Sequence, residues 1–273
     1  MAKELPLVLE PDQLQAAMEA RDDLLIVDVS DADGYAQGHI PGAVRLDFSR
    51  LLRQQPPAMG LLPETAALSA LFSELGLTPD THVVACDRAG GGRAGRLVWT
   101  LDLLGHPHRS WLNGGVPAWM AAGLALDRDL VRPRPSEYTA NLRHPEYLAD
   151  RDWILAHLED PNVVVLDSRS AGEYTGEDVR ATRGGHIPGA VNLDWLVTMD
   201  ENNELRLLPD DTLRQMLGER GITPEKEVVA HCQTHHRSSH AYVMLRHLGF
   251  ERVRGYDGSW SEWGNLPDTP IER

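Results

Sequence analysis

Short runs of apolar residues alternate along this chain with segments whose apolar positions follow a helical period. The segment 12–20 places Leu14, Ala17 and Met18 on one helical face, and the segment 97–104 is similarly patterned. Short apolar runs beside polar residues are typical of buried strands. Such runs occur at residues 25–27, 83–85, 164–166 and 228–230. The alternation of strands and helices predicts an α/β fold in which helices cover both faces of parallel sheets.

The same order of motifs occurs twice. The string Gly-His-Ile-Pro-Gly-Ala-Val at residues 38–44 returns at residues 185–191, an offset of 147. The strand pattern that ends at Asp28 returns at Asp167, an offset of 139, so the second copy contains eight additional residues, which we place within the segment 175–184. The repeated string favours a turn, in which we expect the histidine to bond with nearby backbone groups. A repeat over nearly the whole chain predicts two homologous domains, each with its own core.

Alternating prolines mark the connection between the two copies. Residues 132–135 read Arg-Pro-Arg-Pro, a sequence that blocks helix formation and favours extended chain. We therefore predict a first domain at residues 1–129, a linker at 130–145 and a second domain at 146–273.

Acidic residues outnumber basic residues, 41 to 26, giving a formal charge of −15. Nucleic acid and anionic membranes would repel such a chain, so neither is expected as a partner. No apolar run approaches the ~18 residues of a membrane span, and the first residues lack the apolar core of a signal peptide. Only two cysteines occur, Cys86 and Cys232, too few for a disulfide framework. We therefore expect a cytoplasmic protein with reduced thiols, and a monomer, because two equal domains can cover each other's faces.

The second copy carries a candidate nucleophile between a strand and a helix. Cys232 follows the predicted strand, and Ser238 or Ser239 is expected to cap the next helix. A loop of this kind directs backbone N–H groups at its centre, where they and the helix dipole favour an anion. A thiolate placed there has a lowered pKa, and the thiolate is the nucleophilic form of cysteine. Arg237 adds a fixed positive charge at the edge of the loop.

These motifs together resemble the tandem-domain rhodaneses, a family of sulfurtransferases. The loop at residues 232–237, Cys-Gln-Thr-His-His-Arg, is similar to that of a bacterial subgroup of the family. The resemblance implies two rhodanese-like domains, each a five-stranded parallel sheet flanked by helices, of which only the second is catalytic. It further implies that Cys232 takes sulfur from thiosulfate as a persulfide and passes it to cyanide or a thiol, without metal or organic cofactor. In the first copy, Asp87 aligns with Cys232 and cannot carry sulfur, while Cys86 lies one position earlier and is expected to be buried and unreactive.

The resemblance and the charges also suggest roles for the residues around Cys232. Arg237 is expected to bind the donor anion, and Asp167 to orient the loop as a supporting residue. The other expected substrate-binding residues are Gln233, Thr234, His235, His236 and Ser238. The family's substrate-side arginine, in Asp-Ser-Arg-x-x-Gly-Arg, is replaced here by Glu173, whose carboxylate would repel an anionic donor unless it pairs elsewhere.

Four alternatives fit this loop less well. A 3-mercaptopyruvate sulfurtransferase would carry Cys-Gly-x-Gly-x-Thr, whose glycines are absent here. A phosphatase or arsenate reductase would have five residues between cysteine and arginine, whereas this loop has four. Zinc accepts the ligand types of Cys232, His235, His236 and His240, yet neighbouring histidines in a tight loop rarely converge on one ion. A non-catalytic binding module would not need cysteine, arginine and a helix N-terminus together.

Overall fold

Each copy of the repeat builds a five-stranded sheet in the computed structural model of the protein, which describes residues 4–273. The first half contains β1 (Val8–Leu9), α1 (Pro11–Ala20), β2 (Leu24–Asp28), α2 (Ala32–Gln37), β3 (Val44–Arg45), β4 (Arg53–Gln55), β5 (Ala58–Leu61), α3 (Thr65–Glu74), β6 (His82–Cys86), α4 (Gly92–Leu103), β7 (Arg109–Leu112) and α5 (Gly115–Ala121). The second half contains β8 (Leu148–Ala149), α6 (Arg151–Ala156), β9 (Val163–Asp167), α7 (Ala171–Thr175), β10 (Val191–Asn192), β11 (Met199–Asp200), β12 (Arg206–Leu207), α8 (Asp210–Gly218), β13 (Glu227–His231), α9 (Arg237–His247), β14 (Val253–Tyr256) and α10 (Ser259–Trp263). Single turns of 3₁₀ helix occur at Phe48–Leu51, Pro145–Tyr147 and Trp195–Thr198.

The two sheets have the same strand order. The first runs β1-β7-β6-β2-β3, and the second, read from the same side, runs β8-β14-β13-β9-β10. Every neighbouring pair is parallel. The predicted fold class, two α/β domains with five parallel strands each, is confirmed.

Buried apolar side chains from strands and helices form a core in each unit. The first core includes Leu9, Ile26, Val84, Leu112 and Trp119. The second includes Val165, Ile187, Val229, Tyr256 and Trp263. Burying each such side chain stabilises the fold by roughly 1.5–3 kcal/mol, which explains why the short apolar runs form strands at the centre of each sheet. Within residues 4–273, no helix has both the length and the apolar character needed to cross a bilayer.

The repeated histidines have the structural role expected from the sequence. His39 stacks on Tyr35 at 3.8 Å between ring centroids, and His186 stacks on Tyr174 at 3.7 Å. His39 Nδ1 lies 3.1 Å from the carbonyl oxygen of Tyr35, and His186 Nδ1 lies 2.9 Å from that of Tyr174. Each ring therefore ties a turn to the preceding helix.

Two short segments are grouped with the unit built by the other half of the chain. Residues 52–62, which hold the antiparallel hairpin β4–β5, belong to the second unit, and residues 200–207 belong to the first. The extended segment up to His144 belongs to the first unit, where the Ser136 N–H donates to the Ser73 carbonyl at 2.9 Å. The division into 1–129, 130–145 and 146–273 stays a prediction.

Candidate active site

Cys232 leaves the second sheet at the carboxyl end of its central strand. Strand β13 pairs with β9 in a register that sets His231 opposite Asp167, so the loop begins at the edge where parallel sheets commonly bind ligands. His235 has a φ of 54°, a left-handed conformation that turns the chain sharply into α9. The loop between β13 and α9 therefore spans only four residues after Cys232.

The predicted helix cap at Ser238 or Ser239 is wrong. Helix α9 begins at Arg237 with His236 at its N-cap, and both serines lie in its first turn. The hydroxyl of Ser238 lies 2.7 Å from His235 Nδ1, and the Ser239 hydroxyl donates to the His235 carbonyl at 2.6 Å. These bonds hold the left-handed turn, which lets the helix begin earlier than the serines suggest.

The carbonyl groups at the start of the loop are turned toward α10. The Cys232 carbonyl accepts from the Trp260 N–H at 3.0 Å, and the Gln233 carbonyl accepts from the Ser261 N–H at 2.9 Å. The Cys232 N–H donates to Ser259 Oγ at 3.4 Å. The start of the loop is thereby fixed to the helix that follows β14.

Cys232 is buried, with 1% of its surface exposed, yet the pKa of its thiol is lowered from the usual value. Burial alone raises the pKa of this thiol. The charge of Arg237 and hydrogen bonds from Ser238 and Thr234 outweigh burial, so the pKa is lowered below its usual value. Arg237, Ser238 and Thr234 thus act on the sulfur of Cys232, and their expected role in substrate binding stays a prediction.

Arg237 is held by the carboxylate that replaces the family's arginine. Its Nη1 and Nη2 donate to Glu173 Oε2 and Oε1 at 2.6 and 2.8 Å. Burial raises the pKa of Glu173, but the bonds and charge of Arg237 lower it by more, to about 2. Ser170 and Glu173 also form a capping box at the start of α7, which fixes the carboxylate. Glu173 thus pairs with Arg237. Because its charge is paired, it would not repel an anionic donor.

The segment 175–184 brings a second arginine to this pair. Arg180 Nε lies 3.7 Å from Glu173 Oε1, and Nε and Nη2 donate to Asp178 Oδ2 at 3.0 and 2.9 Å. The Arg180 carbonyl accepts from Gln233 Nε2 at 3.1 Å, and its side chain is 55% exposed. Sequence reasoning missed Arg180, because the segment has no counterpart in the first copy.

Asp167 bonds with a residue that the sequence did not single out. Arg169 Nε lies 2.9 and 3.0 Å from the two carboxylate oxygens of Asp167, and Nη2 lies 2.5 Å from Oδ2. The Arg169 guanidinium also lies 4.3 Å from the ring centroid of Trp260. His231 Nε2 lies 3.5 Å from Asp167 Oδ2, but burial lowers the pKa of His231 to about 4, so that ring is neutral at pH 7. Asp167 thus bonds with Arg169 beneath the loop, and its effect on the loop stays a prediction.

The remaining predicted residues lie in or beside the loop. Gln233, Thr234 and His236 are half-buried, and His235 is fully buried. His240 Nε2 lies 3.1 Å from Thr198 Oγ1, whereas His235 Nδ1 lies 2.7 Å from Ser238 Oγ. The two histidines therefore bond with different partners. Among residues 4–273, no group of three or more histidine, cysteine, aspartate or glutamate side chains is placed to hold a metal ion.

The corresponding loop of the first unit is filled by a carboxylate. Asp87 Oδ1 accepts from the N–H groups of Ala89 and Gly91 at 2.8 and 2.9 Å. Its Oδ2 accepts from those of Arg93 and Ala94 at 3.0 Å each. The four N–H groups that would surround a bound anion here donate to the Asp87 carboxylate instead. Cys86 is fully buried, and burial is the largest cause that raises the pKa of its thiol well above the usual value.

Comparison with known proteins agrees with the fold and the repeat. The Rhodanese-like domain family matches residues 10–122 and 150–266. The thiosulfate sulfurtransferases of Pseudomonas aeruginosa and Azotobacter vinelandii are both 48% identical to this chain over 98% of its length, and the match covers 98% and 97% of theirs. The sulfur carrier protein TtuD of Thermus thermophilus is 31% identical over 94% of this chain and 90% of its own. The structure of an EanB variant in complex with ergothioneine superposes with a TM-score of 0.90 at 24% identity, covering 97% of this chain and 70% of that one, which shows a shared fold. This chain therefore belongs to the rhodanese-like family, with two copies of the family domain.

Proposed function

We propose that this protein is a thiosulfate sulfurtransferase that carries sulfane sulfur as a persulfide on Cys232 and delivers it to cyanide or a thiol. The observation that carries the proposal is a buried cysteine whose pKa is lowered by Arg237, Ser238 and Thr234. Two relatives at 48% identity are named thiosulfate sulfurtransferase, which supports the donor.

The first step forms the persulfide. The Cys232 thiolate attacks the outer sulfur of thiosulfate, a new S–S bond forms, and the S–S bond of thiosulfate breaks. Sulfite leaves with the electron pair, and the enzyme retains one sulfur atom with a negative terminal sulfur. The terminal sulfur lies one S–S bond, about 2 Å, beyond the cysteine sulfur. We infer that the N–H and O–H donors of the same loop stabilise this second sulfur anion.

The second step returns the enzyme to its starting state. Cyanide carbon or an acceptor thiolate attacks the terminal sulfur, the persulfide S–S bond breaks, and Cys232 leaves as a thiolate. The product is thiocyanate or a new persulfide on the acceptor. Two successive covalent steps give ping-pong kinetics.

Arg237 is the proposed donor-binding charge, although Glu173 neutralises much of it. Arg180 stands half-exposed beside that pair and adds a second positive charge to the loop surroundings. Gln233, Thr234, His235, His236 and Ser238 complete the proposed substrate-side residues. The enzyme requires no cofactor and acts as a cytoplasmic monomer in this proposal.

The test is the intact mass of the purified protein after incubation with thiosulfate and again after cyanide. One sulfur, about 32 Da, should be gained and then removed, since the intermediate is covalent. Cys232→Ser should gain nothing, while Cys86→Ser should behave as wild type, because Cys86 is buried with a raised pKa.

The same experiment can refute the proposal. Equal loss of sulfur uptake in both cysteine variants would contradict the assignment of Cys232. No uptake by the wild-type chain would remove thiosulfate as donor, and 3-mercaptopyruvate and then phosphate or arsenate substrates would be tried.

A further inference from the structure

The hairpin β4–β5, which comes from the first half of the chain, is bonded to the second unit at both ends of its second strand. The Met59 N–H donates to Ser261 Oγ at 3.1 Å, and the Leu62 N–H donates to Asp257 Oδ2 at 2.7 Å. The Ser261 N–H in turn bonds with the Gln233 carbonyl at 2.9 Å. The hairpin is therefore anchored to the same short segment that anchors the Cys232 loop.

Between these two anchors, the backbone of Gly60 touches the loop directly. A Cβ atom added to Gly60 would lie 2.4 Å from the carbonyl oxygen of Thr234, 2.9 Å from its carbonyl carbon and 3.0 Å from the carbonyl oxygen of Asp257. All three neighbours are backbone atoms, which cannot move aside as the end of a flexible side chain can. Gly60 is absent from the residues with positive φ, so the position requires glycine for its small size and not for its conformation.

Thr234 is one of the groups whose hydrogen bonding favours the Cys232 thiolate. The Thr234 carbonyl that Gly60 approaches and the Thr234 N–H are attached to the same Cα atom, so a shift of the carbonyl by several tenths of an ångström would turn the backbone there and change the distance between the N–H and the sulfur. Hydrogen bonds to charged groups weaken steeply with poor geometry, so such a displacement acts on the reacting atom itself.

We propose that the hairpin β4–β5 is part of the catalytic unit and that Gly60 is a positioning residue, which sets the distance between Thr234 and the sulfur of Cys232. The first half of the chain, whose corresponding loop carries Asp87 in place of a cysteine, would thus complete the active loop of the second. This inference rests on the proposed function, because it assigns a role in placing the persulfide-forming cysteine.

The test compares Gly60→Ala with Gly218→Ala in the full chain. Gly218 lies at the exposed end of α8, and an added Cβ there meets no atom within 4 Å. Sulfur uptake from thiosulfate should slow by about 10- to 100-fold in Gly60→Ala, as expected for a misplacement of less than 1 Å, and change by at most about twofold in Gly218→Ala. The pH midpoint of Cys232 alkylation by iodoacetamide should rise by about one pH unit in Gly60→Ala only, because a donor to the thiolate is displaced.

A purely structural role would reduce the amount of folded protein and leave both readouts unchanged per folded molecule, and this result would overturn the proposal. If Gly60→Ala does not fold, Ser261→Ala tests the role of the hairpin instead, because it removes the hydrogen bond from Met59 without adding an atom. An alkylation midpoint of Cys232 equal to that of wild type would again overturn the proposal. Should the wild-type chain take up no sulfur, the proposed function fails, and the alkylation midpoints, which need no sulfur donor, still decide the role of Gly60.

Discussion

The pair formed by Glu173 and Arg237 allows the strongest test of the electrostatics of this site. Replacing Glu173 by glutamine keeps the shape of the side chain and removes its negative charge. The carboxylate is almost fully buried and bonds with both terminal nitrogens of Arg237. Its removal should therefore cost stability and at the same time leave more positive charge beside Cys232.

The size of the stability effect follows from the pKa of Glu173. Its lowering from 4.5 to about 2 corresponds to a contribution of about 3 kcal/mol to the unfolding free energy. Because the folded-state pKa is the lower one, this contribution is fully present above pH 4.5 and is lost as the pH falls through 2. Roughly 2 kcal/mol of it should be gone by pH 3.

The assay is guanidinium unfolding of wild type and Glu173→Gln between pH 7 and pH 3, monitored on the transition of the second unit. The difference in unfolding free energy should be about 3 kcal/mol at pH 7 and narrow toward pH 3. The exposed neighbour Glu177 provides the control, because Glu177→Gln should parallel wild type at every pH. In the native state, the alkylation midpoint of Cys232 should fall in Glu173→Gln, since Arg237 is no longer neutralised.

A difference that stays constant with pH, or that is below about 1 kcal/mol at pH 7, would show that the pair behaves as an exposed salt bridge does. The reasoning about Arg237 would then be refuted, whatever the activity of the variant.

Three further predictions concern single residues. Arg237→Ala removes the charge that lowers the pKa of Cys232, so iodoacetamide alkylation should shift to higher pH and the thiosulfate KM should rise; an unchanged KM would place the donor elsewhere. Arg180→Ala should raise the thiosulfate KM only about two- to fivefold, as expected for a half-exposed charge, with the alkylation profile near wild type; a loss of alkylation would mean that Arg180 acts on the thiol. Asp87→Asn leaves some of four N–H groups without a carboxylate oxygen, which should lower the unfolding free energy by about 2 kcal/mol; denaturant unfolding measures this loss, and thiosulfate turnover should not change.

Most of the fold was predictable because its signals are local and occur twice. The helix expected at residues 12–20 is α1, Pro11–Ala20, and the four apolar runs became the central strands of the two sheets. The placement of residues 52–62 was not predictable. The bond between Met59 and Ser261 joins residues 202 positions apart, and no periodicity in either segment reports such a contact.

The site was predictable in its nucleophile and less so in its charges. A cysteine between a buried strand and a helix can be recognised from neighbouring residues alone, and Cys232 does lie between β13 and α9. The left-handed turn at His235 has no clear residue signature, because only a few per cent of non-glycine residues adopt a positive φ; the sequence therefore predicts too late a start for α9. Glu173 was recognised as a departure from the family, but its pairing with an arginine 64 positions later depends on how α7 and α9 are brought together.

The exchanged segments also bear on how this protein is made. The first unit includes residues 63–144 and then 200–207, so at about 5–20 residues per second its last segment is synthesised about 3 to 13 s after the rest. The delay is longer for the hairpin 52–62. The residues that anchor it, Asp257 and Ser261, are synthesised about 10 to 40 s after it. During that interval the nascent chain contains both strands of the hairpin β4–β5, but the residues that bond with them have not been synthesised. The Cys232 loop bonds with residues 259–261, so the thiolate reaches its final surroundings only after those residues have been translated.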